Sequence, residues 1–391
     1  MKITIVTDHR FFNYGDEMFD DYVFDYNFFK NYLDVFDKVD IVCRVQKMEV
    51  LDNRWVKSSG PGINFISLPN EHGLNWFLNI NRYIKEELLA IFDTDSFCFR
   101  LPSMAAWEIF CQNKSRNLPY IFESIGDPED AMISSEDSLA KRVPIMVLGH
   151  ILKNRKRKIV YHAVTGSYVS IKHLQQKYPI KEDKITESIS SIRLESRYIL
   201  KRSKIFDFKK SIRIIHIGSF IPLKNQKDLI QAFKIISAKY PQAKLDFVGD
   251  GPTSNACEQF VKKLGLSSEV VFHGQVTGFN NIVKLLDKAQ FFILPSFNEG
   301  MPRALIEAMA RGLICLGSNR GGISELLDEE YLFTVGDYQQ IANKLTCLIN
   351  NYSTEELGQI SLINIDRAKE FENGILQNKR YKLLKSLREI L

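Results

Sequence analysis

The chain has 391 residues, of which 45% are apolar and 25% charged, and its 52 Lys and Arg outnumber its 47 Asp and Glu by five. This length predicts two large domains or three small ones, and the composition excludes a disordered, collagenous or coiled-coil chain. A net charge of +5 is too small to indicate nucleic acid as a partner.

Cysteine usage and the N-terminus indicate the cellular compartment. The six cysteines form no CxxC pair and lie near no histidine at a zinc-ligand spacing; they are Cys43, Cys98, Cys111, Cys257, Cys315 and Cys347. We therefore expect buried thiols in a reducing compartment and no structural zinc. The opening MKITIVTDHR lacks the length and flanks of a signal peptide, and no run of 18 apolar residues occurs. We expect a cytoplasmic protein.

Short apolar strands alternate with helical segments along the chain, which predicts parallel sheets built from βαβ units. The predicted strands are Ile3–Thr7, Val39–Val45, Phe97–Arg100, Tyr120–Ser124, Ile159–Val164, Arg213–Ile217, Lys244–Val248, Val270–His273, Phe291–Leu294 and Ile314–Gly317. Polar, charged residues between Tyr178 and Lys210 interrupt the series. We therefore predict an N-terminal domain over 1–200, a C-terminal domain over 201–375 and an amphipathic helix over 376–391. Each domain is predicted to be a Rossmann-like doubly wound sheet, the two sheets facing each other across a ligand-binding cleft.

Residues 141–158 are strongly basic. They contain seven Lys or Arg, no acid, and several interleaved apolar residues. An apolar face beside cationic residues suits an anionic membrane surface. The alternative is a partly buried helix with a solvated basic end.

Glycine-containing turns follow four predicted strands of the second half. They are GSFIPLK with Gly218 and Lys224, VGDGP with Gly249 and Gly251, FHGQV with Gly274, and GGISELL with Gly321 and Gly322. Because the carboxyl ends of parallel strands share one edge, these turns are predicted to border one crevice. At this crevice Lys224 is placed to neutralise a diphosphate. The alternative is that Lys224 is a solvated surface charge.

The segment PSFNEGMPRALIEAMARGL, residues 295–313, predicts a helix from Pro302 to Arg311, because proline stands at its start and Gly312 at its end. A helix N-terminus suits phosphate or sugar oxygens. Glu299 precedes this helix and Glu307 lies within it. Arg303, Glu307 and Arg311 are four residues apart, so a stripe of ion pairs on a solvated face is an alternative. A cation at Arg303, in the first turn, favours a bound anion instead.

Together these segments resemble glycosyltransferase family 4, the retaining, nucleotide-sugar-dependent enzymes of the GT-B fold. The resemblance covers the C-terminal half and includes an E-x7-E pair, Glu299 and Glu307. It implies that Glu307 binds the ribose hydroxyls and Lys224 the diphosphate. It implies further that Glu299 and the backbone after it hold the donor sugar, that backbone being Gly300, Met301 and Pro302. The remaining donor-binding candidates are Gly218, Ser219, Gly249, Gly274 and Arg303.

One position departs from the family pattern. Ser219 stands where the family usually has Arg, so phosphate binding would depend on Lys224 and helix N-termini, with Arg303 as a candidate substitute. The implied reaction is transfer, with retention, from a nucleotide-diphosphate sugar, UDP-linked by family habit, to a glycan or lipid-linked glycan of a surface polysaccharide. Neither a metal nor a protein nucleophile is expected.

The N-terminal half resembles the family more loosely. Its first strand is predicted to lead into a loop with Asp8, His9 and Arg10. The acceptor-binding candidates are His9, Arg100 and Glu123. The resemblance makes Lys224 and Glu299 catalytic candidates in the second half. Asp127 is the catalytic candidate of the first half, since it is adjacent to Gly126, where family members often carry His; His9, His150 and His162 are alternatives.

Rival functions remain open at this stage. Asp93-Thr94-Asp95 resembles the metal-binding DxD of the other glycosyltransferase architecture, although we expect a pair of loop acids. A sugar-nucleotide epimerase or a phosphorylase could share the fold. A nucleotide-sugar-binding protein without turnover is the non-enzymatic alternative.

Overall fold

The computed structural model describes residues 1–21, 24–128 and 139–391 and divides them into two units. The first unit contains the described residues up to 128, Ala140–Ile189 and Leu376–Leu391; the second is built from Ser190–Ile375. Each unit is an α/β domain around a parallel sheet, as predicted.

The first unit contains a nine-stranded sheet. Its strands are β1 Lys2–Tyr14, β2 Glu17–Asp20, β3 Lys38–Lys47, β4 Val56–Lys57, β5 Ile63–Pro69, β6 Ser96–Leu101, β7 Tyr120–Ser124, β8 Thr165–Tyr168 and β9 Thr186–Ser188. Seven of them are parallel, in the order β5-β3-β1-β6-β7-β8-β9. The short strands β2 and β4 add an antiparallel extension, which the prediction of a purely parallel sheet missed.

The first strand is longer than predicted. Its register with β3 shifts between Val6 and Arg10, and the strand then continues to Tyr14, where a turn through Gly15 with φ +60° leads into β2. Asp8, His9 and Arg10 therefore lie on a strand and not in the predicted loop. The aromatic residues after them are buried in this hairpin, which is why pairing continues.

The predicted strand Ile159–Val164 is wrong. Residues up to 162 belong to the helix Leu139–His162, and the strand β8 begins only at Thr165. Lys156, Ile159 and Val160 are buried together at helical spacing. No Pro or Gly separates them from the basic run before, so the helix continues where a short apolar run suggested a strand.

The second unit contains a six-stranded sheet, parallel throughout, in the order β12-β11-β10-β13-β14-β15. Its strands are β10 Ile212–Ile217, β11 Ala243–Val248, β12 Val270–Phe272, β13 Phe291–Leu294, β14 Ile314–Ser318 and β15 Leu332–Phe333. The chain starts at a central strand and winds outward in both directions, which defines a switch point between β10 and β13. The predicted strands of this half are confirmed, and β15 was missed.

Helices connect the strands of both sheets. They are α1 Tyr26–Leu33, α2 Gly73–Glu86, α3 Leu88–Ile91, α4 Met104–Asn113, α5 Leu139–His162, α6 His173–Lys177, α7 Gln226–Lys239, α8 Ser254–Lys263, α9 Phe279–Lys288, α10 Arg303–Ala310, α11 Ile323–Leu326, α12 Tyr338–Asn351, α13 Thr354–Lys369 and α14 Asn373–Arg388. From Leu376 onward the last helix belongs to the first unit, where Arg388 donates to the carbonyl of Val35.

All six cysteines are free thiols, and four of them are buried: Cys43, Cys98, Cys257 and Cys315. Burial raises the pKa of each of these four thiols. Within the part of the chain that the structure describes, every helix is too short or too polar to cross a bilayer.

Candidate active site

The turn after β10 is held by the neighbouring strand end. The Gly218 N–H donates to the Val248 carbonyl at 2.9 Å, and a short 3-10 turn, Pro222–Lys224, then leads into α7. The turn places the ammonium group of Lys224 at the carboxyl edge of the second sheet. Ligands of doubly wound sheets bind at this edge.

A buried histidine that sequence reasoning missed lies beneath this turn. The Nδ1 atom of His216 is 2.9 Å from the Ile293 carbonyl oxygen, and a Cβ at Gly218 would lie 3.4 Å from its Nε2 atom. Burial lowers the pKa of His216 to about 4, although the hydrogen bond to Ile293 opposes this; the charge of Lys224 lowers it further. The imidazole is therefore neutral near pH 7 and adds no positive charge to the site.

Lys224 and Glu299 form the link between two of the predicted site loops. The Lys224 Nζ atom is 2.5 Å from Glu299 Oε1, and the Ser296 hydroxyl donates to the same oxygen at 2.7 Å. Both charged side chains are largely buried. The sequence analysis predicted both charged residues but not their ion pair. It also missed Ser296, although its position three residues before Glu299 suggested a contact.

The glycines of these loops permit close contact between backbones. A Cβ at Gly249, where φ is +127°, would lie 2.1 Å from the Gly218 carbonyl oxygen, and a Cβ at Gly322 would lie 2.1 Å from that of Gly300. The Gly249 N–H also donates to the Gly274 carbonyl at 2.8 Å. The turns after β10, β11 and β12 therefore touch one another, and the loop before α10 touches the turn after β14. Backbone packing alone explains why Gly249 and Gly322 are glycines.

The helix α10 begins with an uncapped N-terminus beside this loop. Pro302 is its N-cap residue and supplies no side-chain hydrogen bond, and Arg303 is its first residue. Met301 is buried, which fixes the chain just before the helix. Backbone N–H groups at such an N-terminus stabilise anionic or polar ligand oxygens. Ser219 is exposed on the turn after β10.

Glu307 lies one turn further along α10. Its side chain is half-buried, and its carboxylate has no hydrogen-bond partner among the residues described. Burial raises the pKa of Glu307 from 4.5 to about 7, and the positive charge of Arg303 acts in the opposite direction. A carboxylate in this position can accept hydrogen bonds from a ligand carrying vicinal hydroxyls.

Arg311 does not extend a solvated stripe with Glu307. Its guanidinium forms two hydrogen bonds with the carboxylate of Asp287, at 2.8 and 3.0 Å, and a third with the Tyr198 carbonyl at 2.8 Å. Arg311 is also buried. The predicted stripe of ion pairs is therefore wrong for Arg311, whereas the charge of Arg303 does act on Glu307.

Arg100 and Glu123, predicted to bind the acceptor, pair with each other inside the first unit. They are 4% and 6% exposed, and an Arg100 Nη1 proton is donated to Glu123. The Tyr32 hydroxyl donates to the other carboxylate oxygen at 2.7 Å. Strands β6 and β7 place these residues opposite each other, and the Arg380 Nε atom lies 3.8 Å from the same carboxylate, so Glu123 faces two largely buried cations. Their burial and mutual pairing favour a structural role over the predicted acceptor binding.

Asp127, the predicted catalytic residue of the first half, is likewise buried and paired. Its carboxylate accepts a hydrogen bond from the Tyr178 hydroxyl at 2.8 Å and forms an ion pair with Lys177. Its side chain is 1% exposed. This environment favours a structural role and not a catalytic one.

His9 is the predicted acceptor residue that keeps an accessible side chain, with 30% of it exposed. Its Nε2 atom pairs with Asp20, and its ring packs against Phe11 and Phe24. Asp20 is fully buried, and its other oxygen accepts the Phe24 N–H at 2.8 Å. Asp20 therefore orients His9, a role the sequence did not reveal because Asp20 stands among several acidic residues. The alternative candidates His150 and His162 are exposed on α5.

The Asp93-Thr94-Asp95 triplet has structural partners. The Lys2 ammonium is 2.7 Å from Asp93, the Lys2 N–H donates to Asp95 at 2.7 Å, and the Thr94 hydroxyl donates to the Lys2 carbonyl at 3.2 Å. The three residues anchor the start of β1, as expected for loop acids.

The two α/β units, each around a parallel sheet, have the architecture of the GT-B class of glycosyltransferases. The family model of glycosyl transferases group 1 matches residues 199–360, which include Lys224, Glu299 and Glu307. The chain is also 30% identical over 359 residues to Protein CapJ of Staphylococcus aureus, covering 90% of this chain and 86% of that protein. It belongs to the glycosyltransferase group 1 family and is a glycosyltransferase enzyme.

Other relatives and solved structures agree with this assignment. N-acetyl-alpha-D-glucosaminyl L-malate synthase of Bacillus anthracis is 33% identical over 181 residues, covering 44% of this chain and 46% of that enzyme. Sucrose-phosphate synthase from Thermosynechococcus elongatus matches the fold with a TM-score of 0.72 at 15% identity, covering 100% of both chains. Anabaena HepE in complex with UDP and glucose has a TM-score of 0.66 at 15% identity, covering 99% of this chain and 100% of that one.

Proposed function

We propose that the protein is a retaining glycosyltransferase of the family 4 type that uses a UDP-linked sugar. It transfers the sugar to a glycan or lipid-linked glycan during surface polysaccharide synthesis. Structures of HepE with UDP and with UDP-glucose support this donor class. The similarity to a lipopolysaccharide outer core galactosyltransferase, WaaB, with a TM-score of 0.62 at 14% identity over 99% of both chains, supports the acceptor class.

The Glu307 carboxylate carries the proposal. It is half-buried on α10 without a hydrogen-bond partner among the described residues, and burial raises its pKa to about 7. The two hydroxyl groups of a ribose would donate hydrogen bonds to both carboxylate oxygens, which compensates for the loss of water. Glu307 thus binds the nucleotide through its ribose.

Lys224 and Glu299 exchange partners when the donor binds. A diphosphate carries more charge than a carboxylate, so it competes with Glu299 for the Lys224 ammonium, now 2.5 Å from Glu299. Glu299, released from Lys224, accepts hydrogen bonds from hydroxyls of the donor sugar. The backbone of Gly300, Met301 and Pro302 and the N-terminus of α10 complete the donor site.

The chemical step follows from where charge develops. As the bond between the sugar and the diphosphate breaks, negative charge grows on the diphosphate oxygens, and Lys224 stabilises it without a divalent metal. The acceptor hydroxyl attacks from the face that the diphosphate leaves and passes its proton to a diphosphate oxygen. The new bond therefore has the configuration of the old one.

We propose a cytoplasmic location, at the membrane surface. The basic helix α5 supports the membrane part of this proposal. The side chains of residues 141–146 of this helix lie outside those that the structure describes. Arg155 and Lys156 are used internally, since Arg155 lies over Trp107 and Lys156 donates to the Gly126 carbonyl. Arg157 and Lys158 remain exposed beside Ile151 and Tyr161, which retains a cationic and apolar face for an anionic surface.

The direct test is product analysis with a panel of UDP-sugars and glycan acceptors, comparing the wild type with Glu307→Gln. Glu355→Gln, an exposed glutamate of α13, is the matched control. The proposal predicts a new glycosidic linkage with the anomeric configuration of the donor, and a raised KM for the donor in Glu307→Gln alone. A free, epimerised sugar nucleotide, an inverted linkage or equal KM values in both variants would contradict it.

A further inference from the structure

The first unit contains a second concave site, at the opposite edge of its sheet from the strand ends that bind ligands in such folds. The cavity has a volume of about 680 Å³. It lies between the C-terminal ends of α4 and α5, the start of β7 and the last residues of the chain. Its volume is within the range of small-molecule binding sites.

Positive charge converges on this cavity. Lys114, the residue that ends α4, and Lys158 on α5 both line it, and His162 lines it one turn beyond Lys158. No acidic residue is among the lining residues, and neither ammonium forms an ion pair with any residue described. The nearby acid Glu108 interacts instead with Arg155 and Asn81. The cavity therefore has two lysines without an ion-pair partner among the described residues; their ammonium groups lie over the Phe110 and Trp107 rings, at 5.6 and 6.0 Å.

The floor of the cavity is apolar. The buried rings of Phe110 and Tyr120 line it together with Leu118 and Val164, and the exposed Ile390 stands at its rim. The ring of Phe110 lies between cationic and aromatic neighbours, with Lys114 Nζ 5.6 Å and the His162 ring 6.3 Å from its centre. A cavity lined by both apolar residues and two lysines is complementary to a molecule with a hydrophobic body and an anionic head.

We propose that this cavity binds an organic phosphate, with the phosphate between Lys114 and Lys158 and the apolar part against Phe110, Leu118 and Ile390. A phosphate ester of this kind is either a soluble metabolite or the headgroup of a phospholipid. The site involves none of the residues assigned to the donor, so it does not depend on the proposed reaction; it shares Lys158 with the exposed basic face of α5.

The test is isothermal titration calorimetry of the full chain with phenyl phosphate and with inorganic phosphate. We expect phenyl phosphate to bind at least tenfold more tightly than inorganic phosphate, because only it contacts the apolar floor. The variant Lys114→Ala/Lys158→Ala should lose at least tenfold in affinity for phenyl phosphate, and Lys114→Arg/Lys158→Arg should retain it. Lys30→Ala/Lys85→Ala, which removes two exposed lysines elsewhere in the first unit, is the charge-matched control.

Binding should persist in Lys224→Ala, which separates this site from the donor site. Short-chain phosphatidylglycerol distinguishes the two sources: binding that depends on Lys114 and Lys158 identifies a lipid headgroup, and binding of phenyl phosphate alone identifies a soluble ester. Equal affinity of the wild type and the double alanine variant, or no binding of either probe at millimolar concentration, would overturn the proposal.

Discussion

Replacing Glu307 with Gln is expected to stabilise the free protein while it weakens donor binding. Glutamine keeps the shape of the side chain and removes its charge. Burial raises the pKa of Glu307 from 4.5 to about 7 in the folded protein, whereas the unfolded chain has the ordinary value. A carboxyl group with a higher pKa in the folded state destabilises the protein as pH rises from about 4.5 to 7. Well above pH 7 the loss of folding stability caused by the ionised Glu307 carboxylate is complete.

The size of this penalty follows from the two pKa values. The difference between 4.5 and about 7 corresponds to about 3 kcal/mol before solvent screening. Because Glu307 is only half-buried, solvent screening reduces the expected gain in free energy of unfolding to about 1–2 kcal/mol. For a unit of this size that gain raises Tm by about 3–6 °C at pH 8, and the gain disappears near pH 4.5.

Donor affinity should show the opposite dependence. Only the ionised carboxylate accepts hydrogen bonds from both ribose hydroxyls, so affinity for UDP-glucose should rise about tenfold between pH 6 and pH 8. The diphosphate of UDP-glucose is doubly esterified and has no proton to lose in this pH range. The change in affinity with pH therefore reflects ionisation of a group on the protein. In Glu307→Gln the affinity should be lower at pH 8 and nearly independent of pH.

Thermal melts and titration calorimetry from pH 5 to pH 8 measure both effects. Glu355→Gln is the control, which should leave donor affinity unchanged and should not raise Tm, since Glu355 lies in the first turn of α13. A Glu307→Gln variant with a lower Tm than the wild type at pH 8 would refute the claim that the ionised Glu307 carboxylate destabilises the folded protein. A pH-dependent affinity that survives the substitution would refute its contact with the donor.

The remaining predictions concern charge at the other sites. Lys224→Ala should lower kcat at saturating donor by about 10²–10³-fold, because Lys224 stabilises the leaving diphosphate, and steady-state kinetics showing only a raised KM would contradict this. Glu123→Gln should lower the free energy of unfolding by about 3–5 kcal/mol, since it leaves the buried Arg100 charge uncompensated; chemical denaturation checks this, and an unchanged midpoint would contradict the structural role. Activity in excess EDTA should equal activity without it, whereas restoration by Mn²⁺ alone would contradict the metal-free mechanism. Vesicles with anionic lipid should bind the protein at low salt and release it at high salt, and binding indifferent to lipid charge would count against the exposed basic face of α5.

The second unit was predictable because its local signals agree. Short, fully buried strands such as Phe291–Leu294 are followed by glycine turns, and the helix after Pro302 has both a start and a stop signal. The positions of Lys224 and Glu299 at adjacent strand ends followed from topology alone. Their ion pair did not, because a contact between residues 75 apart in the chain depends on side-chain geometry.

The first unit was harder to predict for two physical reasons. Apolar residues such as Ile159 and Val160 have the same composition in a buried strand and on a buried helix face, and the helix extends through them. Charged residues at strand ends, such as Arg100 and Glu123, suggest a site until their partners are known. In this fold they pair with each other across β6 and β7, and Arg380 of the last helix approaches the same carboxylate; the register of the sheet and the docking of that helix reveal this.

A crystal structure of the protein with UDP bound is the most direct test of how the second unit works. We expect the ribose hydroxyls within hydrogen-bonding distance of Glu307, and the diphosphate between Lys224 and the first turn of α10, with Glu299 separated from Lys224. UDP bound at any other place, or bound here while the Lys224–Glu299 pair stays intact and Glu307 touches no hydroxyl, would contradict the account.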